Sequence, residues 1–397
     1  MKISVIIPTY NEKENIESAI NVLLDVFKQV KDHEMHILVV DGNSPDRTAD
    51  IVRSMMEKHS NLHLLAKKEK GGLGADYTDA MNYAFGVMGV DSVITFDADL
   101  SHDQQIIPEM VRYLAAGYDY VGGTRYRKGG GIPPEWGIHR KFMSYCGNMF
   151  VRLLYWGSPI TDFTSGYKAI TRETYNRIKD VVTIHNGYTF ALSTNLEPVR
   201  LGLKITDIPY HFKDRTMGHS KLGGEYMKNA LIFVLKTRID DIINSRFGKV
   251  FVAGGIGAIS QLLSYGALFE PLIESPRLTF LKDQAVVFGF DVFPKLFIAT
   301  LLSIEVGLTV AFVVNNAWSF NDKKLSGFPL LRGYAKNHAV VAGAIVIQLV
   351  IVQILAMMFG TAYLLKYLYQ IIGILVGLIW NFYFYQRLIW KTKSFKR

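Results

Sequence analysis

The sequence has a single cysteine, Cys146, among its 397 residues. One cysteine can form neither an intramolecular disulfide nor a zinc–cysteine cluster, and such a chain suits a reducing compartment. The sequence also lacks a G-x-G-x-x-G dinucleotide signature and a G-K-[ST] phosphate loop, because its GGLG run at 71–74 fits neither pattern. These absences argue against redox chemistry and ATP hydrolysis.

Long apolar runs are missing from the first part of the chain and frequent after it. Four such stretches lie beyond Arg246, at roughly 248–269, 286–314, 339–362 and 367–386. Each has about the 20 residues needed to cross a bilayer core about 30 Å thick. The opening MKISVIIPTYNE turns polar after a few apolar residues, so no signal peptide is expected. The sequence predicts an integral membrane protein with an N-terminal soluble half.

Positive charge exceeds negative charge, with a formal net charge of +9. Lysines and arginines are concentrated before the first predicted span, between the second and third, and in the tail, at Lys236, Arg238, Arg246, Lys249, Lys323, Lys324, Arg332, Lys336 and 391–397. By the positive-inside rule, the soluble domain and both termini are expected in the cytoplasm. The surplus charge suits anionic headgroups and an anionic substrate, and no nucleic acid partner is expected.

The first half alternates short apolar strands with helical patterns. The strand patterns are SVIIPTY, ILVV, LHLLA and SVITF. This alternation predicts parallel βαβ units in a doubly wound α/β sheet. Ligands of such sheets bind outside the carboxyl ends of the strands, where polar clusters follow at 8–12, 41–46 and 97–101. The sequence therefore predicts a nucleotide site at this edge.

Two aspartates directly follow the fourth strand pattern, in VITFDADLSH at 93–102. In an extended segment, Asp97 and Asp99 point the same way while Ala98 faces away. Two neighbouring carboxylates can chelate Mg²⁺ or Mn²⁺, which also takes substrate phosphates as ligands. The alternative is a solvated turn in which Asp99 caps a helix. With a nucleotide site at this edge, the pattern favours the metal and a nucleoside diphosphate leaving group.

Cationic side chains lie in three turn-rich stretches downstream. They are Arg125, Arg140 with Ser144 nearby, and Arg215 with Lys221. Arginine matches the geometry of phosphate oxygens. Three such stretches suit two phosphate groups, one on a donor and one on an acceptor. No activated Ser–His pair is evident in the sequence, and we expect His102, His139 and His219 to be structural or loop residues.

Taken together, these motifs resemble those of a family 2 glycosyltransferase with a GT-A fold, and most of all the dolichyl-phosphate mannose synthases. The resemblance covers essentially residues 1–240 and rests on PTYNE, DGNSPDRT, KGGLG, DADLSH, GGTRY, RKFMS, TDFTSGYKA, GYTF and DRTMGHSKLGG. It implies inverting transfer of mannose from GDP-mannose to dolichyl or polyprenyl phosphate, with Mg²⁺ or Mn²⁺. Two departures are the pair Asp41–Gly42, where the family has two adjacent aspartates, and Ala191 and Ser193, where it has Gln and Glu.

The resemblance also implies residue roles. The nucleotide-sugar site would comprise Pro8, Tyr10, Glu12, Asp41, Asp97, Ala98, Asp99, Arg215 and Lys221. The lipid-phosphate site would comprise Arg125, Arg140 and Ser144, and the metal would take Asp97, Asp99 and Ser101. The residues expected to act in catalysis are Asp99, Arg125, Arg140 and Arg215.

The predicted organisation is a Rossmann-like GT-A domain at 1–224, an interfacial helix region at 225–245 and an all-α transmembrane domain of four helices at 246–397. The helical stretch 140–157 is a second candidate for lying at the bilayer surface. The spans resemble a GtrA-like domain, and Asp291, Lys295 and Glu305 fall in or near the second span. Glycines at 254, 255 and 257 are expected to allow close helix packing. A prokaryotic plasma membrane is the expected location.

Two other functions remain open from the sequence. The first is transfer of glucose from UDP-glucose to a polyprenyl phosphate. The second, of a different class, is a lipid-linked sugar flippase or transporter with a nucleotide-binding domain, which would leave the sugar–nucleotide bond intact. A processive polysaccharide synthase is disfavoured because the sequence has no QxxRW motif.

Overall fold

A computed structural model of the chain describes residues 1–185, 187–214, 224–264, 266–267, 285–287, 290–292, 294–359, 372, 375–377 and 379–390. The backbone divides into two compact units, Met1–Lys236 and Thr237–Arg397. The division falls within the helix Gly224–Asn244, which covers most of the predicted interfacial region. This helix is α8 in chain order.

The first unit is built on a seven-stranded sheet. Its strands are β1 (Lys2–Thr9), β2 (Glu34–Asp41), β3 (Leu62–Ala66), β4 (Ser92–Thr95), β5 (Tyr120–Thr124), β6 (Lys168–Thr171) and β7 (Ile205–Pro209). The strand order is β3-β2-β1-β4-β6-β5-β7. Strand β6 runs antiparallel to both of its neighbours, and the other pairs are parallel. The predicted doubly wound α/β fold, of the GT-A type, is confirmed.

Helices cover both faces of this sheet. They are α1 (Ile16–Phe27), α2 (Thr48–Met56), α3 (Leu73–Gly86), α4 (Ile107–Ala115), α5 (Ile138–Leu154), α6 (Arg172–Val182) and α7 (Gly187–Arg200). Successive side chains of a strand face opposite sides, so Val5 of β1 packs into one apolar cluster and Ile6 into another. Both side chains are fully buried. A strand buried on both faces explains the continuous apolar pattern in the sequence.

The turn before α3 depends on a glycine. Gly72 has φ +82°, a left-handed conformation that costs glycine little because it has no Cβ. The chain then enters α3, whose first turn carries Asp76 and which also contains Tyr77. The turn thereby positions two polar side chains near the carboxyl edge of the sheet.

In the second unit, the structure describes α9 (Arg246–Ser264), β8 (Ala285–Val287), β9 (Phe290–Val292), α10 (Pro294–Val314) and α11 (Phe328–Phe359). Two π-helical turns are described, Asn315–Ser319 directly after α10 and Tyr385–Ile389 near the end of the described chain. The sequence predicted one helix over 286–314, but strands β8 and β9 pair across its start and the helix begins at Pro294. Proline is tolerated in the first turn of a helix but disrupts a helix interior, which explains this start. Asp291 therefore lies in β9, before the start of the helix that contains Lys295.

Close packing in the second unit uses small and aromatic residues. A Cβ on Gly257 of α9 would lie 2.6 Å from the Gly307 carbonyl oxygen of α10, so these helices meet backbone to backbone as predicted for Gly257. Phe320 and Trp390 stack with ring centroids 4.1 Å apart. Among the described residues, the structure shows no helix that combines enough length with enough apolar character to span a bilayer.

Candidate active site

The two aspartates of the DADLSH motif follow β4 at the carboxyl edge of the sheet. The Asp99 Oδ1 accepts a hydrogen bond from the Ser101 backbone N–H at 3.0 Å, closing a tight turn. Leu100, between them, has φ +59°. The turn leaves Asp97 and Asp99 partly exposed, while Ala98 between them is buried. The alternation predicted for this segment therefore places both carboxylates toward solvent.

Asp97 is held in place by two buried neighbours. The Tyr77 hydroxyl donates to Asp97 Oδ1 at 3.3 Å, and the Asp97 backbone N–H donates to His102 Nδ1 at 3.2 Å. His102 Nε2 lies 3.5 Å from Asp97 Oδ2. Burial lowers the pKa of His102, and the positive charges of Arg125 and Lys168 act in the same direction against the two aspartates. His102 is therefore a structural residue that orients Asp97, in agreement with its expected role.

The donor set around Asp97 and Asp99 fits a hard divalent cation. Both carboxylates are accessible, and the buried Ser101 Oγ has no hydrogen-bond partner in the described part of the chain. Oxygen ligands are those that Mg²⁺ and Mn²⁺ prefer. No cluster of three or more His, Cys, Asp or Glu residues suited to a metal occurs in that part of the chain. The rest of a coordination shell would have to come from substrate phosphates and water.

The residues predicted to hold the nucleotide lie along the ends of β1 and β2. Pro8 pairs with Val40 and Thr9 with Asp41 in the parallel register. The buried Asp41 carboxylate accepts hydrogen bonds from the Thr9 hydroxyl at 3.1 Å and the Ser44 hydroxyl at 2.6 Å. Its position is therefore fixed without a ligand, at the end of β2 beside the β1 loop.

Tyr10 and Glu12 continue the same edge beyond β1. The Lys70 ammonium lies 3.7 Å from the centroid of the Tyr10 ring. The Glu12 carboxylate accepts a hydrogen bond from the Asn15 side chain at 2.8 Å. Together with Pro8 and Asp41, these residues lie at or just beyond the carboxyl ends of β1 and β2.

Arg125 is held by a buried aspartate. Its Nε lies 2.7 Å from Asp162 Oδ2, and one terminal nitrogen donates to Asp162 Oδ1 at 2.9 Å and to Thr164 Oγ1 at 2.6 Å. The exposed fractions of the Arg125 and Asp162 side chains are 8% and 0%. Burial opposes the charge of each group, but each stabilises the other, so the pKa of Asp162 is lowered and that of Arg125 is raised.

Arg140 and Ser144 lie on α5 beside this ion pair. The Ser144 hydroxyl lies 2.5 Å from the hydroxyl of Tyr126, the residue that follows Arg125 in the chain. Arg140 stacks on Trp136 at 3.7 Å and keeps 41% of its side chain exposed, with a long 3.5 Å contact to Asp214. Arg140 therefore has an accessible guanidinium, whereas the fork of Arg125 is mostly occupied.

A row of aromatic rings connects the two parts of the site. His102 and Phe212 have centroids 6.4 Å apart, and Phe212 and Trp136 have centroids 5.5 Å apart. Trp136 in turn carries Arg140. Because His102 orients Asp97, the predicted metal ligands and the predicted lipid-phosphate ligands belong to one packed region of the first unit.

Sequence reasoning missed several residues that build this region. Asp162, Thr164 and the buried Lys168 lie in the motif TDFTSGYKA, but polar residues in a turn before a short strand give no sign of burial. The Lys168 ammonium donates to the Ala191 carbonyl at 3.1 Å, and Ala191 is one of the positions where the sequence departs from the family that it resembles. Burial lowers the pKa of Lys168 to about 7. Arg215 and Lys221 lie outside the described residues.

Comparison with protein families agrees with this geometry. Residues 4–179 match the model of glycosyl transferase family 2, and residues 251–390 match the GtrA/DPMS transmembrane domain. The chain belongs to the family 2 glycosyltransferases and carries a GtrA/DPMS domain. It is therefore a glycosyltransferase enzyme and a membrane protein.

Three curated relatives are similar to this chain. The undecaprenyl-phosphate mannosyltransferase of Micrococcus luteus is 31% identical over 59% of this chain and 93% of the relative. The polyprenol monophosphomannose synthase of Mycolicibacterium smegmatis is 31% identical over 62% of this chain and 90% of the relative. The dolichol-phosphate mannosyltransferase of Pyrococcus furiosus is 27% identical over 99% of this chain and 100% of the relative.

Proposed function

We propose that the chain transfers mannose from GDP-mannose to the phosphate of a polyprenyl or dolichyl lipid, with inversion at the anomeric carbon. The names of the three relatives support mannose and a polyprenyl-type acceptor. The observation that carries the proposal is that one packed region holds two accessible carboxylates, Asp97 and Asp99, and the accessible guanidinium of Arg140. The row of aromatic rings described above connects the two parts. Such an arrangement suits two phosphate groups in one site.

In this mechanism, an oxygen of the acceptor phosphate attacks the anomeric carbon of mannose. The bond between that carbon and the diphosphate oxygen breaks, and GDP leaves with the bonding electrons. The acceptor is a dianion for much of the time at neutral pH, so no side chain has to remove a proton. Catalysis then consists of positioning and charge stabilisation.

The chain's own residues divide this work between two ends of the site. Asp97 and Asp99, with Ser101 nearby, would hold Mg²⁺ or Mn²⁺, which when bound would neutralise charge on the leaving diphosphate. Arg140 and the hydroxyl of Ser144 would hold the acceptor phosphate. Arg125 would contribute mainly positive charge from its buried position, because Asp162 and Thr164 occupy most of its fork.

The charge distribution and the GtrA/DPMS match support a proposal for where the reaction occurs. We place the catalytic unit and both termini on the cytoplasmic side of the membrane, because the predicted inner loops carry most lysines and arginines. A lipid acceptor has its phosphate at the bilayer surface, so the catalytic unit would act there. The long apolar tail of the acceptor would remain in the bilayer.

The test is transfer of labelled sugar into organic-extractable lipid by full-length protein with dolichyl phosphate and Mn²⁺. We expect labelling from GDP-mannose and a loss of about 100-fold or more with Asp99→Asn or with EDTA. Asp25→Asn changes an exposed aspartate that pairs with Lys28 and should leave transfer unchanged.

The other outcomes separate the competing functions. Labelling from UDP-glucose alone would keep the chemistry and refute the GDP-mannose assignment. Intact nucleotide sugars with no labelled lipid would refute the transferase and favour the transport function. Full activity in EDTA would refute the metal site while leaving the sugar transfer established.

A further inference from the structure

A buried carboxylate stands beside the predicted nucleotide surface without having been assigned to it. Asp76, in the first turn of α3, has 9% of its side chain exposed. Its Oδ1 accepts a hydrogen bond from the Lys67 ammonium at 2.7 Å, and the same ammonium lies 2.7 Å from Asp79. Hydrogen bonds and charge from the two aspartates outweigh burial and raise the pKa of Lys67. The group carries two negative charges and one positive charge.

The other oxygen of Asp76 faces a glycine at the end of β2. A Cβ added to Gly42 would stand 3.9 Å from Asp76 Oδ2, 3.6 Å from the Tyr10 ring and 3.5 Å from the Thr9 carbonyl. Gly42 directly follows Asp41, at the position where the sequence departs from two adjacent aspartates. Asp76 Oδ2 and the Tyr10 ring therefore both lie next to Gly42, beside residues assigned to the nucleotide.

A carboxylate in this position recognises N–H groups. Its two oxygens offer about four acceptor positions, of which Lys67 uses one. Guanine presents two adjacent groups of this kind, N1–H and the exocyclic amino group, on one edge. Hypoxanthine presents only N1–H, and uracil presents only N3–H. A buried carboxylate therefore favours guanine most strongly among these bases.

We propose that Asp76 is a specificity-determining residue for the base of the sugar donor, accepting the N1–H and exocyclic amino groups of guanine beside Gly42 and Tyr10. Lys67 holds the carboxylate in place through the 2.7 Å contact to Oδ1. This inference rests on the proposed use of GDP-mannose and assigns the residue that selects the base. It assigns base recognition to the first turn of α3.

The experiment measures binding of GDP, inosine diphosphate and inorganic pyrophosphate to full-length protein by calorimetry with Mn²⁺, alongside the mannose transfer assay. Hydrogen bonds to charged groups predict that Asp76→Asn lowers GDP affinity about 10-fold or more and reduces the preference for GDP over inosine diphosphate toward 1. Pyrophosphate, which has no base, should bind both proteins equally. Asp79→Asn removes the other partner of Lys67 and should keep the wild-type preference.

A second variant protects the test against misfolding of Asp76→Asn. Gly42→Ala makes only ordinary contacts of 3.5 Å or more, so its fold should survive. Its added methyl group lies next to Asp76 Oδ2, so it should weaken binding of GDP and leave binding of pyrophosphate unchanged.

Each outcome decides the matter. An unchanged GDP preference in Asp76→Asn, or unchanged GDP binding in Gly42→Ala, with wild-type mannose transfer intact, overturns the inference and leaves the proposed function standing. If the wild type transfers no mannose from GDP-mannose, the proposed function fails and this inference fails with it.

Discussion

Replacing Asp162 with alanine tests whether its buried ion pair holds the acceptor side of the site together. The Asp162 carboxylate is fully buried and binds the Arg125 guanidinium, the Arg125 backbone N–H and the Thr164 hydroxyl. Removing one partner of a buried pair leaves the other charge uncompensated, which costs about 3–5 kcal/mol. For a unit of this size, that corresponds to a fall in Tm of about 6–20 °C.

The assay is thermal unfolding of full-length protein in detergent, followed by tryptophan fluorescence. The double variant Arg125→Met/Asp162→Leu removes both charges and should recover part of the lost stability. Asp25→Ala, an exposed aspartate paired with Lys28, should change Tm little. A fall in Tm of less than about 2 °C in Asp162→Ala would refute the reasoning. So would a fall in Tm of the double variant equal to the sum of the falls in Arg125→Met and Asp162→Leu.

The same pair predicts a pH dependence with a definite sign. The folded pKa of Asp162 lies below its ordinary value of 3.8. The stability that this carboxylate adds is therefore present above that pH and is lost as the pH falls below it. The gap in unfolding free energy between wild type and Asp162→Asn should be constant near neutral pH and should narrow below about pH 3.8.

Two further predictions concern other buried side chains. The pKa of Lys168 falls from 10.5 to about 7 in the folded protein. Between these pH values, the free energy of unfolding of wild type should therefore rise relative to that of Lys168→Met by up to about 1.4 kcal/mol per pH unit. The exposed Lys179→Met should show no such slope, and a difference that stays constant from pH 7 to 9 in chemical unfolding would contradict the prediction. Phe320→Ala removes a fully buried ring stacked on Trp390 and should cost about 3–5 kcal/mol. In a thermal scan, Phe328→Ala, whose ring is 77% exposed, should have little effect, and equal losses in both variants would show that the stack is unimportant.

Periodicity and motif order were sufficient to predict much of the first unit. The apolar runs gave β1 to β4, and the polar residues at their carboxyl ends met at one edge as parallel strands require. The antiparallel insertion of β6 was not predictable, because a four-residue strand has no distinctive period. The burial of Asp162 and Lys168 follows from that insertion and was missed with it.

In the second unit, hydropathy was a poorer guide to element boundaries. The run 286–314 is mostly apolar, and composition alone could not separate β8 and β9 from the helix beginning at Pro294. Pro294 itself was the available signal, since proline marks helix starts. Of the three glycines expected to allow close helix packing, Gly257 does so, whereas a Cβ on Gly254 or Gly255 would meet nothing within 4 Å in the described part of the chain.

The insertion of β6 between β4 and β5 also constrains how the protein can be made. As the chain leaves the ribosome, β4 and β5 emerge before their common partner, and neither can complete its central pairing until residues 168–171 have followed. Until then each presents an unpaired strand edge, which is a template for association with other chains. Synthesis must therefore extend some 70 residues beyond Asp97 and Asp99 before the central sheet can close. A pause in translation within this interval would prolong exposure of the edges and increase aggregation of the nascent chain.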